Sequence, residues 1–198
     1  MEADVLRIAV YGPESTGKTK LAAKLAAHFG APLVTEYARE RWDAQGGFLG
    51  LEDMLPIAQE QWRREDEAVR AAAVCSLLDY KQPDAAARPR ELVICDTEAL
   101  TTVLWSDLLY GTAPEAVRRG AEKRCRNYAL YLLLDTDVPF VADPQRCFPE
   151  PEDREKCRRI WRGALERRQL PFVEIRGDWA ERERAAIAAV EEVLRRGA

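Results

Sequence analysis

Five short apolar runs punctuate the chain: Val5–Tyr11, Ala31–Thr35, Glu91–Thr97, Tyr128–Asp135 and Pro171–Ile175. They are rich in Val, Ile, Leu and Tyr and too short for helices, so each predicts a strand buried on both faces. Between them the apolar spacing lengthens to the period of a helix. Leu21, Leu25 and Phe29 precede Gly30, which is placed to end that helix. A long amphipathic helix is predicted from about Asp53, with Leu55, Ala58, Trp62, Val69 and Ala73 roughly on one side and Pro56 in its first turn. Two helices follow the third strand, Leu100–Leu109 and Pro114–Arg124, separated by a turn at Gly111. A basic helix runs from about Glu152 to Gln169, and Trp179–Arg196 closes the chain with an apolar stripe. Between Glu36 and Trp42 the residues are charged and helical in pattern, while Ser76–Arg90, with two prolines and several alanines, breaks periodicity and reads as a surface excursion. Strands alternating with helices imply right-handed crossovers and a parallel sheet covered on both faces.

One stretch narrows this α/β sandwich further. Gly12-Pro13-Glu14-Ser15-Thr16-Gly17-Lys18-Thr19 matches G-x-x-x-x-G-K-[ST], and it stands between the first strand and the first helix, where the pattern has its physical meaning. Backbone N–H groups curling around a phosphate, backed by a helix N-terminus, supply donors and a favourable dipole. Gly12 and Gly17 allow the turn and the close approach, and Glu14, Ser15, Thr16 and Lys20 complete the expected phosphate cradle. Lys18 is placed for the β- and γ-phosphates of a nucleoside triphosphate, and the Thr19 hydroxyl for Mg²⁺. The predicted fold is a P-loop NTPase three-layer sandwich spanning residues 1–198 as a single domain, with a five-stranded parallel sheet. In the kinase branch of that architecture, the strand ending in an acid lies beside the first. The order is then 2-3-1-4-5, with a helical lid over about residues 137–165.

Other residues fall at the carboxyl ends of these strands, the edge where open α/β sheets bind ligands. Asp96 ends the third strand and is a candidate for holding Mg²⁺ or polarising an acceptor hydroxyl, although it also suits a helix start. Glu36 leaves the second strand toward the cleft as a candidate proton acceptor or hydroxyl ligand, with Arg39 close behind; both also fit a helical charge ladder. Asp143 and Arg146 lie on the loop after the fourth strand. There a guanidinium can neutralise charge on a transferring phosphoryl group. Arg154, Arg158, Arg159 and Arg162 fit a solvated helix face better. Tyr37, Trp105 and Phe140 offer flat faces for a heteroaromatic ring.

Composition excludes more than it assigns. The 198 residues are 47% hydrophobic and 32% charged with a net charge of −4, so no basic bias points to nucleic acid. No apolar run approaches the roughly 18–20 residues of a membrane span, and the first strand begins too early for a signal peptide; a cytoplasmic location is expected. Cys75, Cys95, Cys125, Cys147 and Cys157 lack paired spacing and are expected to be free thiols. The sole histidine, His28, reads as structural.

The chain resembles the ribosylnicotinamide kinase domain of the NAD-metabolism regulator NadR and its stand-alone relatives. The matching stretches, in the family's order, are Gly12–Thr19, Glu36–Glu40, Ile57–Gln61, Cys95–Thr102, Trp105 with Tyr110-Gly111, and Asp137–Arg146. The chain departs at Phe140, where the family usually has Trp, and at Glu98, where it often has Asp. The resemblance implies ATP-dependent phosphorylation of the 5′-hydroxyl of nicotinamide riboside. Lys18, Thr19 and Asp96 then serve ATP·Mg²⁺, Glu36, Tyr37 and Arg39 line the acceptor side, and Arg146 belongs to the lid. The regulator's adenylyltransferase and DNA-binding parts are not expected. The partner expected is a small-molecule acceptor, with homo-oligomer formation left open. Another nucleoside or metabolite as acceptor, or a regulatory ATPase acting through a protein, is the alternative. A GTP switch is disfavoured, since there is no Asn-Lys-x-Asp motif.

Overall fold

The computed structural model describes residues 5–79 and 92–196. Its five strands are β1 (Leu6–Tyr11), β2 (Leu33–Val34), β3 (Leu92–Asp96), β4 (Leu130–Leu134) and β5 (Phe172–Ile175). All four pairings are parallel and the order is β2-β3-β1-β4-β5, as the sequence predicts. Seven helices cover the sheet: α1 (Lys18–Phe29), α2 (Tyr37–Ala44), α3 (Met54–Asp79), α4 (Ala99–Tyr110), α5 (Glu115–Arg124), α6 (Pro151–Arg168) and α7 (Trp179–Arg196).

Successive side chains of a strand point to opposite faces, and here both faces are dry. From β1, Ile8 and Val10 meet Leu21, Leu25, Ala186 and Val190 of α1 and α7. Ala9 and Tyr11 meet the other layer, with Leu100 and Leu104 of α4 and Trp161, Ala164 and Leu165 of α6. A third cluster joins Ala58 of α3 to Val103 of α4 and to Val117 and Ala121 of α5. Tyr131 stands edge-on to Tyr11, 5.4 Å between centroids, and its hydroxyl donates to the Cys125 carbonyl oxygen at 2.8 Å. Cys95, Cys125 and Cys157 are buried free thiols, whereas Cys147 is exposed.

Two expectations are corrected in detail. β2 is only two residues long, because Thr35 turns outward ahead of α2. Helix α3 continues through Asp79, so residues 76–79 of the expected excursion are helical; residues 80–90 lie outside the described residues. The basic helix is part of the packed layer, since Trp161 is fully buried and Cys157, Ala164 and Leu165 nearly so. Arg158 and Arg162 of that helix pair with Glu155 and Glu166, each at 2.7 Å, which matches a charged outer face.

A polar pair is enclosed in the α3 layer. Glu65 is buried, and its carboxylate oxygens lack hydrogen-bond partners; Arg7 and Arg124 stand at 3.7 and 3.8 Å, too far to donate. Burial therefore outweighs the pull of the Tyr128 hydroxyl, Arg124 and Arg7, and the carboxyl is pushed from about 4.5 up to about 7. Glu98 accepts from the Leu100 and Thr101 amides at 2.7 and 3.2 Å, yet burial first, with the Glu65 charge adding, raises it to about 8. A carboxyl raised in the folded state binds protons that the unfolded chain releases, so its contribution is complete below about pH 4.5 and lost as pH climbs to the folded value. Urea unfolding is accordingly expected to show stability falling between pH 4.5 and 7. Glu65→Gln is expected to flatten that slope by on the order of 2–3 kcal/mol.

Candidate active site

The carboxyl ends of the five strands open onto one edge, and the turn 12–17 between β1 and α1 is its centre. Gly12 has φ +147°, and a Cβ there would lie 2.9 Å from the Leu134 carbonyl oxygen, so the turn runs hard against the end of β4. Gly17 caps α1 in the left-handed region at φ +85°, where an added Cβ would lie 2.5 Å from the Trp179 ring. Ser15 is also left-handed, at φ +55°. The Thr16 hydroxyl and the Lys18 ammonium both donate to the Pro13 carbonyl oxygen at 2.8 Å, which draws the turn into a ring.

A residue outside every recognised motif holds this ring in place. Arg182, on α7, is 2% exposed. Its guanidinium donates to the carbonyl oxygens of Thr16 (3.0 Å), Asp135 (2.9 Å) and Gly177 (2.9 Å), and pairs with the Asp137 carboxylate. It thereby ties the phosphate loop to the segments following β4 and β5.

Two acids approach Lys18 from neighbouring strands. Asp96 is buried at the end of β3, and its Oδ1 has no hydrogen-bond partner. Burial raises its carboxyl, while Lys18, the Thr19 hydroxyl and Arg39 pull it down. Glu36, at the N-cap of α2, lines the cavity and is half-buried. Burial raises it too, with the Asp96 charge adding and Lys18 and Arg39 opposing. An acid kept above its usual range beside a lysine is suited to accepting a proton.

The loop after β4 folds over the phosphate loop. Glu14 Oε1 accepts from the Cys147 and Phe148 amides at 2.9 and 2.7 Å, and Ser15 Oγ accepts from the Val141 amide at 2.8 Å. Arg146 donates to the Val141 carbonyl oxygen and sits 3.5 Å from Ser15 Oγ. Asp143 pairs with Arg39 at 3.1 Å, joining this loop to α2.

A single cavity of about 760 Å³ connects these parts, within the usual range for small-molecule sites. One end is the phosphate loop from Glu14 to Lys20, with Arg146 and Trp179. The other is largely apolar, walled by Trp42, Phe48, Met54, Ile57, Trp105 and Tyr110. Of the sequence-predicted residues, Glu36, Arg39, Trp105, Asp143 and Arg146 line it. Gly12, Tyr37, Asp96 and Phe140 do not. The Tyr37 ring lies beneath Arg64, 4.7 Å from its centroid, and Phe140 faces Arg154 at 5.8 Å. Trp105 is held by stacking on Phe148 at 6.0 Å and by an edge contact with Trp161 at 4.8 Å. Trp42 and Phe48 carry no motif, and neither does Trp179; Gln61, Thr101 and Tyr110 sit inside stretches that the resemblance matched without marking them. Among the described residues, no group of three or more His, Cys, Asp or Glu gathers around a common point.

A family model described as an AAA domain matches residues 7–182. Among solved structures, the chain is similar to a NadR protein in complex with NR, at 24% identity and TM-score 0.71, covering 96% of this chain and 52% of that one. A NadR protein in complex with NAD and AMP-PNP matches at 23% identity and TM-score 0.67, covering 96% and 49%. Thymidylate kinase from Ehrlichia chaffeensis matches at 13% identity and TM-score 0.63, over 94% of this chain and 98% of that one. The chain spans about half the length of the two NadR structures. At these identities the likeness establishes the shared fold.

Gly12→Ala tests the phosphate loop directly, because the atom it meets belongs to rigid strand backbone. The substitution is expected to cost about 1–3 kcal/mol in thermal unfolding and to weaken binding of AMP-PNP measured by calorimetry.

Proposed function

The chain belongs to the AAA domain family, and on that premise we propose that it is an ATP-dependent small-molecule kinase. Its proposed acceptor is the 5′-hydroxyl of a nucleoside, with nicotinamide riboside converted to nicotinamide mononucleotide. The observation that carries this reading is the continuity of one cavity from the phosphate loop into an aromatic-walled chamber. A regulatory ATPase needs a phosphate loop and a surface that changes; it has no need of an apolar cleft continuous with that loop. The adjacency of β3 to β1, which sets Asp96 beside Lys18, also supports the kinase branch of the fold.

The residues fit ATP and Mg²⁺. The turn 12–17 offers backbone donors at a helix N-terminus, and the orphaned Asp96 oxygen beside the Thr19 hydroxyl is a hard-oxygen pair of the kind Mg²⁺ takes. Bound Mg²⁺ supplies charge neutralisation to the phosphates as the γ-phosphoryl group transfers. Lys18, freed from the Pro13 carbonyl, reaches the same oxygens. Glu36 faces the cavity, so it is assigned the acceptor hydroxyl: it orients the oxygen for in-line attack and takes its proton as the new P–O bond forms and the bond to ADP breaks. Asp96 is assigned the metal. Arg146, on the loop closed over Ser15, is positioned to meet charge on the transferring group.

Purified protein with Mg·ATP and a panel of nucleosides is expected to phosphorylate nicotinamide riboside; ADP release with no phosphorylated acceptor from any member would remove the kinase reading. Lys18→Ala is expected to lower both AMP-PNP affinity and turnover, the latter by roughly a hundredfold or more. Asp96→Asn should hold nucleotide affinity within about threefold while turnover falls by a similar hundredfold. Equal loss of both would leave Asp96 a structural cap.

A further inference from the structure

Among the described residues, the non-glycine positions with positive φ are Ser15, Thr97 and Gln169. Ser15 belongs to the phosphate loop, and Gln169 caps the end of α6, where a left-handed residue is ordinary. Thr97 has neither reason. At φ +68° it is the β-branched one of the three, and its Cβ crowds a backbone that glycine or asparagine would follow at little cost. Such a residue persists only where its surroundings hold it from both sides. Here they do. The Thr97 N–H donates to the Val10 carbonyl oxygen at 3.1 Å, extending the β1–β3 ladder, and the next residue, Glu98, caps α4 through the Leu100 and Thr101 amides at 2.7 and 3.2 Å.

The strained turn changes where the side chain goes. Side chains alternate along β3, with Val93 and Cys95 on the face covered by α4 and α6, and a straight continuation would send Thr97 to that packed face as well. Instead Thr97 lines the cavity, although only 4% of it is exposed. β2 pairs with β3 through Val34 and Cys95, so two residues on from that pair Glu36 and Thr97 stand in register at the carboxyl ends of adjacent strands. Both line the cavity, and Glu36 is the residue assigned to the acceptor hydroxyl.

We infer that Thr97 is a second contact to that hydroxyl, held in a left-handed conformation to reach it. The alcohol oxygen of the acceptor carries one proton and two lone pairs. Its O–H donates to the Glu36 carboxylate, one lone pair accepts from the Thr97 hydroxyl, and the other is left aimed at the phosphoryl group. Two partners from neighbouring strands fix the direction of attack, which a single carboxylate leaves free to swing. The inference rests on the proposed kinase reading and adds a residue to its acceptor side.

The test separates strain from contact. Thr97→Gly removes the hydroxyl and relaxes the backbone, Thr97→Ala removes the hydroxyl alone, and Thr97→Ser keeps it. The glycine variant is expected to unfold about 2–4 °C higher than the alanine variant. Nicotinamide riboside, titrated by calorimetry into protein saturated with AMP-PNP, is expected to bind roughly fivefold more weakly to both hydroxyl-free variants, and Thr97→Ser to restore most of that loss. The kcat for its phosphorylation should follow the same order, while AMP-PNP affinity stays within about twofold. Wild-type acceptor affinity and kcat in Thr97→Gly overturn the inference and leave the kinase standing, with Thr97 a turn residue only. An equal loss of AMP-PNP affinity in the variants overturns it too, since the effect is then a general distortion of the site, as does a wild type that does not bind nicotinamide riboside. Acceptor binding that follows the hydroxyl, without phosphoryl transfer by the wild type, keeps the contact and removes the kinase.

Discussion

The guanidinium of Arg182 lies where three strand-end segments meet, and the site depends on it. A loop that wraps phosphate must keep its N–H groups free, which leaves its carbonyls turned away and in need of donors. Arg182 supplies one to Thr16 and at the same time binds Asp135, Gly177 and Asp137, so the loop, β4 and β5 share one anchor. The charge is almost wholly enclosed, yet every contact is to a carbonyl or carboxylate oxygen. That is the condition under which a buried cation is tolerated. Gly12 and Gly17 then let the backbone pass close to Leu134 and Trp179 without a side chain in the way.

From that anchor the electrostatics of the cavity follow. Lys18 is the positive group between two acids that burial holds above their usual range, and the acids come from strands on the same side of β1. Asp96 is enclosed with one oxygen unpaired, whereas Glu36 reaches the cavity. The two carboxylates therefore differ in access, which is what separate roles require. The loop over them is held by Glu14, Ser15 and the Arg39–Asp143 pair, contacts between separate segments that are exposed enough to be exchanged when phosphates arrive.

The strand runs, the helix periods and the sheet order were legible because each is local or follows from handedness. The phosphate loop was legible because its glycines and lysine sit at fixed spacing. Tyr37 and Phe140 do not line the cavity, since a sequence gives the residue type but not the direction of a side chain at a loop or helix start; both rings lie against arginines of neighbouring helices. Arg182 was hidden for a related reason. In α7 it stands among Arg184, Arg195 and Arg196, and nothing in its spacing separates an anchor from a solvated charge.

The sequence by itself determined the α/β class, the parallel order and the phosphate-binding turn, all written in periods and spacings that act over a few residues. Tertiary structure alone decided that α3, α4 and the loop before α3 would build an aromatic chamber against the turn. It also decided which acid faces the cavity, and that Thr97 turns to line it. The reason is physical: hydrogen-bond satisfaction and burial are properties of packed neighbours, and those neighbours lie 24 to 166 residues apart along the chain.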